Sequence, residues 1–197
     1  MTDKKSLIEL LPDLMDKDLQ LEIKEHKLCI RETKNQAICR WVEIRMKQSV
    51  PSFCLTIDKS RKKGESDPVF PFFNPEQKGI CSKNDAILIC QKGQKHYVFL
   101  IELKSKNPGD YLKQLKAAQL FIHFILERIK LYELCKYSLK DMEFRGILFS
   151  CRYCRKTPND GTSKHREQKE IEFNDRNGLL VTEQECNQSY QLTKFLN

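Results

Sequence analysis

The chain has 197 residues, 35 basic against 27 acidic, a formal net charge of +8 and 40% hydrophobic content, enough for one compact domain with a sizeable core. No run approaches the roughly 18 apolar residues of a membrane span, and Met1-Thr-Asp-Lys-Lys5 lacks the apolar stretch of a signal peptide, so a cytoplasmic protein with no membrane partner is expected. The positive balance favours a polyanionic partner, and the absence of GxxxxGKS/T, GxSxG and HExxH runs sets aside the common nucleotide-hydrolase, esterase and metalloprotease signatures.

Between residues 6 and 28, Leu7, Leu10, Leu11, Leu14, Leu19 and Ile23, interrupted by Pro12, predict one or two amphipathic helices. Residues 1–34 are accordingly read as an N-terminal helical extension of a single domain over 35–197. Ile38, Trp41, Val42, Arg45 and Met46 stand at helical spacing and predict a helix over 35–48. Residues 49–79, with Pro51, Pro68, Pro71 and Pro75, read as loop around a strand over 53–57.

Two short apolar runs follow, 85–90 and 96–101, and Gly93 between them can supply the positive φ of a tight reversal. A turn centred between Gly93 and Gln94 places Asp85 directly across from Glu102. Their Cβ atoms would then lie about 5 Å apart on one face of the sheet, where like charges repel. Lys104, two residues beyond Glu102, falls on that same face, while Leu103 points into apolar packing. Residues 97–101 are apolar without alternation, as in a strand covered on both sides, so the charged triplet emerges at the edge of a core, where desolvation needs a reason. Hard oxygen ligands of this kind, with no His or Cys at ligand spacing, suit Mg²⁺ or Mn²⁺ better than zinc.

A long helix is predicted over 108–137, then a buried strand over 144–150, a polar loop over 157–168, and a short final hairpin from 171–173 and 179–181. The fold class is α/β, with helices on both faces of a small central mixed sheet.

Asn84-Asp85, the hairpin, Glu102-Leu103-Lys104 and a following helix carrying Gln114 together resemble the PD-(D/E)xK nuclease superfamily, over roughly residues 35–155. Asn84 stands where the family's proline would be. The resemblance implies a restriction-endonuclease-like central mixed β-sheet flanked by helices. It implies that Asp85 and Glu102, with the Leu103 carbonyl, bind Mg²⁺ or Mn²⁺, and that Lys104 orients or helps deprotonate the attacking water. It further implies a glutamine on the helix after the second strand, for which Gln114 is preferred to Gln119, and an acid on the preceding helix, for which Glu43 is preferred to Glu32. An ion pair with Arg40 or Lys47 is the alternative use of Glu43.

Basic residues flank this region. Arg61, Lys62 and Lys63, then Lys106, then Lys113 and Lys116 are the candidates for tracking a phosphate backbone, with Arg152, Arg155 and Lys156 further on. Nine cysteines without a secretory signal are expected to be reduced thiols, and Cys151 and Cys154 with His165 or Cys186 lack the spacing of a standard zinc site. The leading expectation is a metal-dependent nuclease acting on DNA before RNA, as the nuclease subunit of a bacterial defence or restriction system with a protein partner that supplies targeting or activation. The alternative is a noncatalytic nucleic-acid or protein-binding module that keeps a nuclease-like fold.

Overall fold

The computed structural model describes residues 5–33, 36–105, 109–135, 141–151 and 171–197. A first helix, α1 (Leu7–Leu14), begins with a capping box in which the Ser6 hydroxyl accepts from Glu9 N–H and the Glu9 carboxylate accepts from Ser6 N–H at 2.9 Å. Helical structure stops soon after. Residues expected to continue it form β1 (Ile23–Lys24) and, in part, β2 (Lys27–Arg31), joined by Glu25 and His26 with φ of 47° and 59°, the pair of positive angles of a type I′ turn.

The helix expected over 35–48 is not formed in its described part, 36–48, whose regular element is a strand, β3 (Trp41–Arg45). Val42 and Ile44 are fully buried, whereas Ile38 and Trp41 are exposed, so the operative period is two. Both inward residues are β-branched, which favours a pleated strand. β2, β3 and β10 (Ser189–Gln191) with β1 make a four-stranded sheet, β2 antiparallel and β10 parallel to β3.

The larger sheet is six-stranded and mixed. In order it holds β4 (Ser52–Leu55), β5 (Ala86–Lys92), β6 (Lys95–Lys104), β7 (Met142–Ser150), β9 (Leu180–Glu185) and β8 (Asn174–Asp175). β4, β5 and β6 run antiparallel to one another. The long helix α2 (Tyr111–Leu131) then carries the chain back so that β7 pairs parallel to β6, and β9 adds parallel to β7. The final hairpin is present but shifted, its turn at Asn177 and Gly178 with φ of 56° and 83°.

Among the described residues, the two α-helices lie on one face of this sheet, not on both. Leu7, Ile8 and Leu11 of α1 and Leu115, Ala118 and Ile122 of α2 share a core with Ile87, Ile89, Val98 and Leu100. The opposite face, carrying Leu88, Cys90, Phe99, Ile101 and Phe149, packs on Leu28, Ile30, Val42 and Ile44 of the small sheet. The architecture is mixed α/β in three layers. Residues 5–33 are therefore built into both cores and are only partly helical.

Helix α2 meets β7 closely at Gly146, where an added Cβ would stand 2.7 Å from a Leu115 methyl and 3.0 Å from a Val181 methyl. Gly146→Ala is expected to cost about 1–3 kcal/mol of stability through overpacking. Urea unfolding measures it, and a loss below about 0.5 kcal/mol would show that α2 shifts freely on the sheet.

Candidate active site

Lys92 lies opposite Lys95 and Ala86 opposite Ile101. The turn is therefore centred between Gly93 and Gln94, with Gly93 at φ 62°, and one residue further the same register sets Asp85 against Glu102. Asp85 does more than face its neighbour: its Oδ2 accepts the Leu103 N–H at 2.6 Å. Asn84, fully buried, donates from Nδ2 to the Ala86 carbonyl at 2.6 Å and the Ile101 carbonyl at 3.2 Å. It thereby holds the start of β5 against β6.

Glu102 is only 2% exposed. Its Oε1 pairs with Lys104 Nζ at 2.6 Å, while its Oε2 is buried without a hydrogen-bond partner. Leu103 points away into the core between the sheets. Burial pushes the Glu102 carboxyl up to about 8, reinforced by the charge of Asp85 and opposed by Lys104. Burial likewise pushes Asp85 up to about 6, with the Leu103 N–H and Lys104 opposing and the charges of Asp58 and Glu32 adding to the rise.

A carboxyl raised in the folded state binds more protons there than in the unfolded chain. Stability from Asp85 and Glu102 is thus fully present below about pH 4 and is lost as pH rises toward about 8. Glu102→Gln, a neutral isostere, is expected to be more stable than the wild type by roughly 1–3 kcal/mol above pH 8, with the gain nearly gone by pH 4. Denaturation at both pH values in a metal chelator measures this, and a gain independent of pH would discard the buried-charge account.

Gln114 does not point at Lys104. Its Nε2 donates to the Lys83 carbonyl at 2.9 Å, tying α2 to the segment that leads into Asp85. Glu43 sits on β3, where its Oε1 accepts from Arg45 Nε at 3.0 Å and Ser189 Oγ at 2.9 Å. It belongs to the small sheet and is not brought to Asp85. The acids that are brought there are Glu32 and Asp58, which with Asp85, Thr56 and Ile30 line a cavity of about 190 Å³. Asp58 was not singled out from the sequence. Its place directly after the strand candidate over 53–57 is legible in the sequence, whereas the pairing of Leu55 with Ile87, two residues from Asp85, belongs to the fold.

The basic candidates divide. Arg61 is held inside its own loop by the Glu76 carboxylate at 2.8 Å and the Glu65 carbonyl at 3.1 Å, and Lys116 donates to the Asn177 carbonyl at 2.7 Å. Lys62 and Lys63 are exposed, and Lys113 pairs with Asp110 at 3.1 Å on the surface of α2. Lys106, Arg152, Cys154, Arg155, Lys156 and His165 lie outside the described residues.

Beside Glu102, on β7, Leu148 forms part of the wall of a larger polar cavity of about 510 Å³, whose lining includes Tyr111, Arg176, Glu183 and Gln184. Among the described residues no group of three or more His, Cys, Asp or Glu side chains is gathered closely enough to hold a metal. The donor set at the hairpin is two carboxylates and nearby backbone carbonyls, all hard oxygen, and Glu102 Oε2 is buried without a hydrogen-bond partner. Those features fit a divalent cation such as Mg²⁺ or Mn²⁺. No described helix is long and apolar enough to cross a membrane.

Comparison of the chain with family models, with curated proteins and with solved structures gives no match.

Proposed function

We propose that the chain is a divalent-metal-dependent nuclease of the PD-(D/E)xK kind, with a restriction-endonuclease-like core made by β4, β5, β6, α2 and β7. The observation that carries this reading is the pair of carboxylates, half-buried Asp85 and buried Glu102, facing each other beside Lys104 with Glu102 Oε2 unsatisfied. Two carboxylates sharing one lysine at the edge of a core, one of them with a buried oxygen left without a hydrogen bond, strain the fold and therefore call for a functional reason.

Asp85, Glu102 and the Leu103 carbonyl would hold Mg²⁺ or Mn²⁺, which when bound supplies Lewis acidity and a water of lowered pKa. Lys104 has its ammonium on Glu102 and one quarter of its side chain exposed, so it can accompany the carboxylate and meet a phosphate oxygen. Gln114 acts indirectly, by fixing the Lys83 carbonyl and hence the approach to Asp85. The cavity beside Leu148 falls in the 300–1,000 Å³ range typical of small-molecule sites, and it would receive a nucleotide flanking the scissile bond. DNA is the favoured substrate, and the setting a bacterial defence or restriction system with a targeting partner.

The test is incubation of purified protein with single- and double-stranded DNA and with RNA, in Mg²⁺, Mn²⁺ or chelator. Metal-dependent cleavage supports the reading. Nucleic-acid binding without cleavage in any metal would favour a noncatalytic binding module.

A further inference from the structure

Cys151 and Cys186 continue the parallel pairing of β7 and β9. Ser150 is the partner of Glu185, and the Cys186 N–H donates to the Ser150 carbonyl at 3.1 Å, so the two cysteines are cross-strand neighbours one residue further on. Both belong to the core between the sheets, and their Sγ atoms are 3.0 Å apart. That is about 1 Å more than a disulfide bond of roughly 2.05 Å.

The corner is held from several sides. Asn187 Oδ1 accepts the Arg40 N–H at 2.8 Å and the Trp41 N–H at 3.3 Å, and its Nδ2 donates to the Ile38 carbonyl at 2.8 Å. A third thiol, Cys39, is buried close by and donates to the Phe149 carbonyl at 3.7 Å. Burial pushes Cys39 up to about 11, against a hydrogen bond with Cys186 that lowers it, so it remains a protonated thiol, whereas Cys151 is only half-buried.

We propose that Cys151 and Cys186 are an oxidisable thiol pair that closes an intramolecular disulfide on exposure to a disulfide oxidant such as glutathione disulfide. The Cys151 thiolate attacks one sulfur of the oxidant, forming a mixed disulfide and releasing one glutathione. The Cys186 thiolate then attacks the Cys151 sulfur and releases the second. The protein loses two protons and two electrons, and the oxidant becomes two glutathione thiols. The bond closes a loop between residues 35 positions apart and sets a covalent clasp one residue beyond the Lys104–Ser150 pair. Nothing in this proposal depends on nuclease activity.

The experiment treats the full chain with glutathione disulfide, alkylates the remaining thiols and maps peptides without reduction. A Cys151–Cys186 cross-link is expected, with two of the nine thiols consumed and the thermal midpoint raised by roughly 5–10 °C. Cys151→Ser and Cys186→Ser should each abolish the cross-link and the shift, whereas Cys39→Ser should keep both. If Cys186→Ser fails to fold, Cys151→Ser alone carries the comparison. A bridge to Cys39 or Cys154, a lasting glutathione adduct on Cys151, thiols protected by bound zinc, or nine unreacted thiols would each overturn the proposal.

Discussion

Under the proposed nuclease function, Asp85→Asn and Lys104→Ala are each expected to lower metal-dependent phosphodiester hydrolysis by about 10³-fold or more, equivalent to about 4 kcal/mol of transition-state stabilisation. Asn keeps the size of Asp and an oxygen able to accept the Leu103 N–H now held at 2.6 Å, so the hairpin should persist while one charge of the proposed cation site is gone. Stability should therefore stay level or rise, since the Asp85 carboxylate is disfavoured by its own burial. Lys104→Ala removes the cation from Glu102 Oε1, which drives the Glu102 carboxyl higher still. Its residual activity should need a higher pH than that of the wild type. Single-turnover cleavage across pH 6–9 reads both effects. Wild-type rates in the Asp85→Asn protein at the same metal concentration would remove Asp85 from the site.

Asp67→Ala is expected to destabilise the fold by about 3 kcal/mol, because it leaves a buried ammonium without its carboxylate. Asp67 Oδ2 lies 2.7 Å from Lys83 Nζ, their side chains only 5% and 8% exposed, and Asp67 Oδ1 accepts the N–H groups of Val69 and Phe70, each at 2.9 Å. Lys83 also donates to the Lys59 carbonyl at 2.7 Å. The pair thus fastens the long proline-containing loop to the residue two before Asp85, and cleavage should fall with stability. Although burial works against it, Lys83 and the two N–H groups hold the Asp67 carboxyl below its ordinary range. Its contribution is present above about pH 4 and is lost as pH falls through its lowered folded value. This is opposite in sign to Asp85 and Glu102. Urea unfolding at pH 7 and on the acid side measures the effect, and a loss below about 1 kcal/mol would mean that Lys83 escapes to solvent.

The comparison of Asp85 with Glu43 shows how far local pattern reaches. Asp85 and Glu102 belong to one hairpin, and a two-residue turn with Gly93 at φ 62° fixes every pairing along it. Glu43 is placed on a helix by a spacing that Ile38, Trp41, Val42 and Arg45 do satisfy. Burial of Val42 and Ile44 against the larger sheet, with Trp41 left outside, selects the strand instead. Short segments often satisfy both periods, and long-range packing chooses between them. The same competition turned residues 23–28, expected as helix, into β1 and the start of β2, where Leu28 and Ile30 alternate with exposed Lys27, Cys29 and Arg31.

The sequence alone determined the α/β class, the hairpin and the facing Asp85, Glu102 and Lys104, because turn chemistry and a period of two act over neighbouring residues. Only the tertiary structure decided that both helices share one face, that a second sheet covers the other, that Asp58 and Glu32 join Asp85 while Glu43 does not, and that Cys151 meets Cys186. Each of these depends on pairing between segments far apart in the chain, whose partners no local propensity specifies.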